Sequence, residues 1–174
     1  MSPMRHAIVV VAALAAFSAG CAGGPPPPVA ARPSDSKADE KEIARVLDDW
    51  HEGANRAEEA RYFNHFAPGA VFLGTDASER WSLEDFRNWA HPKFSAGKAW
   101  SFKVRRRAVN VARTGDFAWF DEDLDTKNMG PARGTGVMVR GGSDGHWRII
   151  QYALALTVPN EKLKDVRKLL DSGE

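Results

Sequence analysis

At Gly97 the apolar residues of this 174-residue chain change period from 3.6 to 2: the stretches before it are mostly helical in spacing, and the long segments that follow alternate. Ile43, Val46, Leu47, Trp50 and Ala54 form the stripe of a first helix that begins at Asp39 and is closed by Gly53. A second helix from Asn55 carries Ala60, Phe63, Phe66 and Ala67 and stops at Pro68 and Gly69, ahead of a short strand over 70–73. Ser82, three residues before Asp85, caps a third helix with Phe86, Trp89, Ala90 and Phe94 on its apolar side. Four strands follow over 99–112, 116–125, 134–140 and 147–158, and Asn160 caps a last helix carrying Leu163, Val166, Leu169 and Leu170. Helices followed by consecutive antiparallel strands specify an α+β fold in which the helices cover one face of a sheet.

Alternation along the strands assigns their faces. Ala118, Phe120 and Leu124 share a face with Glu122, a carboxylate among apolar neighbours. Placing Val137 and Val139 on that face sets Phe120 opposite Val137 and Glu122 opposite Thr135, and aligning Trp147 and Ile149 with them brings Gln151 beside Thr135. The expectation is a polar row of Glu122, Thr135 and Gln151, with Arg133 diagonal to it. A turn at Thr114-Gly115 sets Arg107 opposite Glu122. Phe102 and Val104 are out of phase with Arg107, Val109 and Val111, which requires a β-bulge near 105–107 that curves the sheet. The outer face then presents Trp119, Met138, Ile150, Tyr152, Leu154 and Leu156, and such a face needs a cover, either the last helix or a second subunit. A homodimer is expected on this ground.

Residues 1–20 have the layout of an export signal: Arg5, an apolar run over 7–17, then Ser18, Ala19 and Gly20. The run is too short to span a membrane. Cys21, the chain's only cysteine, resembles the acylated residue of a bacterial lipoprotein lipobox, although Ser18 stands where Leu is usual. Ordinary signal cleavage and a free structural thiol are the alternatives. Residues 21–38, with Pro25 to Pro28, read as a stiff tether and 39–174 as the folded domain. Ala22 after Cys21 leans, by the same resemblance, towards the outer membrane. The expected address is the bacterial cell envelope, outer membrane or periplasmic face, with membrane contact only through a lipid at Cys21. Against 24 basic residues stand 23 acidic ones, and a net charge of +1 supplies no field for nucleic acid.

Gly74-Thr75-Asp76 with Glu79 and Trp81, Gly115-Asp116 running on to Ala118-Trp119-Phe120-Asp121-Glu122, Arg133 to Val137, and Trp147-Arg148-Ile149 before Gln151, Tyr152 and Pro159 carry a family resemblance. Over nearly all of 39–160 the chain resembles the SnoaL-like branch of the nuclear transport factor two-like superfamily. The resemblance implies a cone: three N-terminal helices packed on a curved antiparallel sheet, a pocket between them, and here a C-terminal helix besides. The family includes ketosteroid isomerases, polyketide cyclases, dehydratases and members with no known reaction. Several relatives carry two His residues on the last strand, at positions that Gln151 and Ala153 hold here, so a His-based site is not expected.

Enzymes of this fold that act beside a carbonyl use a carboxylate as general base and hydrogen-bond donors for the oxyanion, in a dry pocket. Glu122 is the first candidate base and Asp121, which alternation turns outward, the second; Arg133, Gln151 or Tyr62 would supply donors. The opposing account is a structural ion pair of Glu122 with Arg107 or Arg133, because neighbouring guanidiniums lower a carboxylate's pKa. Trp50, Tyr62, Phe72, Trp81, Trp89, Phe94 and Phe120 would wall a ligand cavity, with Arg133, Thr135 and Gln151 as its polar contacts, although an aromatic stripe also builds a core. Asp76 and Glu79 would rim the mouth or simply close a turn. His51, His65, His91 and His146 lack the spacing of a metal site and no glycine loop is placed to cradle a phosphate, so neither metal nor cofactor is expected. The function read from the sequence is an exported, lipid-anchored domain that binds a small apolar or aromatic molecule in its cone. The alternatives are a cofactor-independent isomerase, cyclase or dehydratase using Glu122, and an envelope protein-interaction module.

Overall fold

Helix α1 (Ser36–Asn55) buries Ile43, Leu47, Trp50, His51 and Ala54, a stripe at i, i+4, i+7, i+8 and i+11. The computed structural model describes residues 36–141 and 144–172. The segment read as signal, lipidation site and most of the tether, Cys21 included, lies outside the described residues. Residues 36–38 belong to α1 and not to the tether. Gly53 does not end the helix: a Cβ there would sit 3.1 Å from the Tyr62 amide nitrogen, so the glycine lets helix α2 (Glu59–Asn64) pass close to α1. Asp49 ties the pair, accepting from Arg61 Nε at 3.2 Å and facing His65 Nε2 at 2.7 Å.

Helix α2 is shorter than expected and buries Tyr62 and Phe63, leaving Ala60 exposed. Phe66 and Ala67 instead open strand β1 (Phe66–Leu73), which runs through Pro68 and Gly69. It can do so because pairing with its neighbour is interrupted between Phe66 and Val71, where the missing proline N–H costs no ladder bond. Strand β2 (Arg80–Ser82) leads into helix α3 (Leu83–Ser95), capped as expected by Ser82 Oγ accepting the Asp85 amide at 3.1 Å. Strands β3 (Phe102–Val111), β4 (Phe117–Thr126), β5 (Gly130–Arg140) and β6 (Trp147–Leu156) complete one curved sheet in the order β2-β1-β6-β5-β4-β3. Every pairing is antiparallel except β1 with β6. Helices α1 and α3 pack on the sheet, α1 against β3 and β6, α3 against β1 and β2. Helix α4 (Leu163–Asp171) buries none of its residues, so it does not cover the outer face.

The bulge in β3 lies where phase demanded it: Val104 pairs with Leu124 and Arg106 with Asp123, leaving Arg105 as the extra residue. Arg107 accordingly faces Glu122, and Val111 faces Ala118. The next register differs from expectation by one residue. Phe120 pairs with Gly136 and Glu122 with Gly134, so the inward row of β5 is Ala132, Gly134, Gly136 and Met138, while Arg133 and Thr135 face out. The cause is volume. A Cβ on Gly136 would stand 2.6 Å from the Phe120 ring, and one on Gly134 would collide with the Tyr152 hydroxyl, so the large neighbours on both sides need a strand without side chains. A second, unforeseen bulge makes Ile150 the extra residue of β6, since Met138 pairs with Ile149 and Val137 with Gln151. It reverses the parity: Trp147 and Ile149 point inward as expected, but Tyr152 and Leu154 follow them and Gln151 turns out. Met138, Tyr152 and Leu154 therefore leave the expected outer apolar face for the core, and Trp119 and Phe117 remain exposed on it.

Substituting Gly136 by Ala is expected to lower stability by about 1–3 kcal/mol, because the Phe120 ring and the Gln151 carbonyl both close on the new methyl. A urea midpoint unmoved at unchanged slope would show that the ring gives way freely.

Candidate functional site

Two constellations occupy the concave side, one deep and one at its mouth. The deep one starts from alternation on β4, where Ala118, Phe120, Glu122 and Leu124 all point inward and Glu122 is fully buried. Its Oε1 accepts from Arg107 Nε at 2.6 Å. Its Oε2 lies 2.8 Å from His51 Nε2. A carboxylate only accepts, so we assign the proton of this bond to His51 Nε2. Arg107 reaches on to α1, donating through Nη1 to the Ala44 carbonyl at 2.9 Å and pairing with Asp48 at 2.8 Å. Burial pushes the Glu122 carboxyl up, but the bonds and charges of His51 and Arg107 outweigh it and hold the group below its ordinary range. Tyr152 Oη, also buried, finds no hydrogen-bond partner among the described residues; burial first and then the charge of Glu122 raise its pKa well above that of a free phenol.

Neither Glu122 nor His51 nor Arg107 lines the aromatic cavity of the domain. Tyr152 packs between Trp50, at 4.7 Å between ring centroids, and Phe72, at 5.5 Å. Phe72 in turn lines a cavity of about 420 Å³ whose other walls are Trp81, Phe86, Trp89, Trp100 and Phe102, with Leu154 and Met129 beside them. The rings run in series: Phe72 stacks on Phe86 at 3.9 Å and Phe86 on Trp81 at 5.6 Å, and Trp81 meets Trp89 at a tilt at 4.7 Å. Glu79, Thr75, Ser101, Thr126, Lys127 and Asn128 supply its polar atoms. Its volume is that of a site for a small organic ligand, mostly apolar with a few polar groups.

The SnoaL-like domain family matches residues 43–159, the stretch that builds both constellations. The chain belongs to that family. Solved structures share its fold at low identity. An NTF2-like protein of unknown function from Pseudomonas putida superposes with a TM-score of 0.61 at 16% identity, over 73% of this chain and 92% of the other. A provisionally assigned dehydratase of the NTF2-like family from Streptomyces avermitilis gives 0.59 at 13%, over 71% and 99%. A provisionally assigned ketosteroid isomerase from Parabacteroides distasonis gives 0.54 at 18%, over 67% and 86%. Comparison with curated proteins finds no match.

Within this SnoaL-like domain the expected site residues separate into three groups. Phe72, Trp81, Trp89 and Glu79 line the mouth cavity together. Trp50, Tyr62 and Phe120 are core, as is Phe94. Arg133, Thr135 and Gln151 stand exposed on the outer face, a consequence of the β5 register and the β6 bulge, and Arg133 approaches Asp123 at 3.6 Å instead of Glu122. Asp121 faces outward to Arg106 at 2.9 Å, and Asp76 lies in an exposed turn where its side chain accepts the Ser78 amide. Sequence reasoning missed His51, Trp100 and Phe102. The signal for His51 was present, since it stands at i+4 from Leu47 and i+8 from Ile43 on the apolar stripe of α1. Among the described residues no three His, Cys, Asp or Glu converge as metal ligands.

Glu122, with both oxygens engaged and no open space beside it, acts as the ionic anchor of the cone. Glu122→Gln is expected to cost about 3 kcal/mol, since it leaves Arg107 buried against a neutral partner. The sign with pH follows from the lowered carboxyl: its contribution is present above the ordinary value of 4.5 and is lost as pH falls through the lower folded value. The variant should therefore lose less stability than the parent on acidification from 4.5 down to that lower value. Asp49, held at about 2 mainly by the Arg61 hydrogen bonds, keeps a residual acid slope between about 4 and 2 in both proteins. Parallel urea midpoints from pH 6 to 2.5 would contradict the anchor.

Proposed function

We propose that this SnoaL-like domain binds a small, largely aromatic molecule in the mouth cavity and is held at the bacterial cell envelope by a lipid on Cys21. The observation that carries the binding reading is the 420 Å³ cavity walled by six aromatic side chains, Phe72, Trp81, Phe86, Trp89, Trp100 and Phe102. Flat apolar ligands gain from such walls both by leaving water and by offset stacking. Turnover through Glu122 finds no support in its surroundings, because a base must reach its proton and this carboxylate is sealed and ion-paired. Isomerase and dehydratase assignments among structural relatives below 20% identity transfer the fold and not the reaction. The envelope address rests on the Arg5, apolar and small-residue order that ends at Cys21.

The binding reading is checked by calorimetric titration of the full chain with 1-naphthylmethanol, beside Ala99→Trp, which places an indole in the cavity that Ala99 lines. Saturable binding weakened by at least about tenfold in the variant is expected. Equal affinity in both, or no binding to the parent, would remove the cavity as the site. For the anchor, the parent chain made in a Gram-negative host should fractionate with membranes and Cys21→Ser should not; identical fractionation of the two would end the lipoprotein reading.

A further inference from the structure

Resting on the mouth cavity as the binding site, we infer that it selects an organic cation, an amine or quaternary ammonium on an aromatic body, with Glu79 as the counter-charge. Glu79 lines the cavity half-buried, at the end of the turn that runs from Gly74. Its main chain closes that turn, Gly74 N donating to the Glu79 carbonyl at 2.8 Å and Glu79 N to the Asp76 carbonyl at 3.0 Å. Its Oε2 accepts the Asp76 amide at 3.2 Å. A Cβ at Gly74 would collide with that oxygen, so the glycine is what lets the carboxylate lie back against the cavity wall.

No Lys, Arg or His among the described residues pairs with it, whereas the buried carboxylates each have a cation: Glu122 has Arg107 and His51, and Asp39 has Arg140. A carboxylate partly removed from water and left without a counter-ion is a costly arrangement that a bound cation relieves. The aromatic wall favours the same sign of charge, because ring faces are negative. One cation of the protein already uses it: Lys93 Nζ lies 4.0 Å from the Trp89 centroid. Lys127 also borders the cavity, but it is exposed on the turn between β4 and β5, where water screens it more than it screens Glu79.

Three ligands of nearly one shape separate the contributions: 1-naphthylmethylamine, 1-naphthylmethanol and 1-naphthoate, titrated into the full chain at pH 7. The expected order is amine, alcohol, naphthoate, with the amine at least about tenfold tighter than the alcohol and weakened by added salt. Glu79→Gln should bring the amine to within about twofold of the alcohol measured in the same variant. The unfolding temperature reports whether the variant is intact. Amine and alcohol binding equally, both weakened in Ala99→Trp, would overturn the cation preference and leave the cavity standing. Failure of all three ligands to bind would overturn both. Naphthoate binding tightest, and weakening in Lys127→Ala, would reverse the charge assignment.

Discussion

Glu122 can be taken out of water only where both of its oxygens are met, and Arg107 and His51 meet them from two different elements. One of these partners is across a strand pair and the other is on a helix. The carboxylate therefore joins β3 and β4 to each other and both to α1, and Arg107 strengthens the link by bonding the Ala44 carbonyl and Asp48 on the same helix. Ionic contacts of this kind demand defined distances where apolar packing tolerates a range. The stand-off of α1 from the sheet, and with it the shape of the cone, follows from this anchor.

The anchor does not line the aromatic cavity, which starts from Phe102, whose ring meets His51, and from Phe72, whose ring meets Tyr152. The Tyr152 ring meets Trp50 edge-on and Phe72 at a tilt, so it stands between the anchor's helix and one wall of the cavity. Around Glu122 lie the charges of Arg107 and His51, and the cavity beyond Phe72 and Phe102 is walled by aromatic rings, with Glu79 as a charge that no Lys, Arg or His among the described residues neutralises. A buried carboxylate poised for catalysis and a buried carboxylate holding the fold together can occupy the same place in a sequence. What separates them is access to a cavity, and here the cavity belongs to a different carboxylate.

Several parts of this arrangement were legible before any coordinates. The phase conflict between Val104 and Val109 demanded the β3 bulge, and the Thr114-Gly115 turn set Arg107 opposite Glu122. The Ser82 cap, the helix-then-strand order and the inward orientation of Glu122 were equally readable. The errors share one cause. Assigning Val137 and Val139 inward assumes that the bulkier apolar residue faces the core, but the space over β5 is taken by Phe120 and Tyr152 from its neighbours, and the strand turns its glycines to them. The β6 bulge at Ile150 carries no local mark, since Ile149 and Ile150 are equally apolar and either could face inward.

The sequence by itself determined the class of fold, the order of its elements and which residues would be drawn out of water, because periodicity and turn chemistry act over a few neighbours and need no partner. Tertiary structure alone decided which of those residues share space. His51 became the partner of Glu122 across 71 positions of chain, Gln151 and Thr135 left the interior through a bulge and a one-residue register, and Glu79 came to lie in an aromatic cavity. These outcomes depend on competition for volume between strands that meet only after folding, and no local pattern encodes the winner.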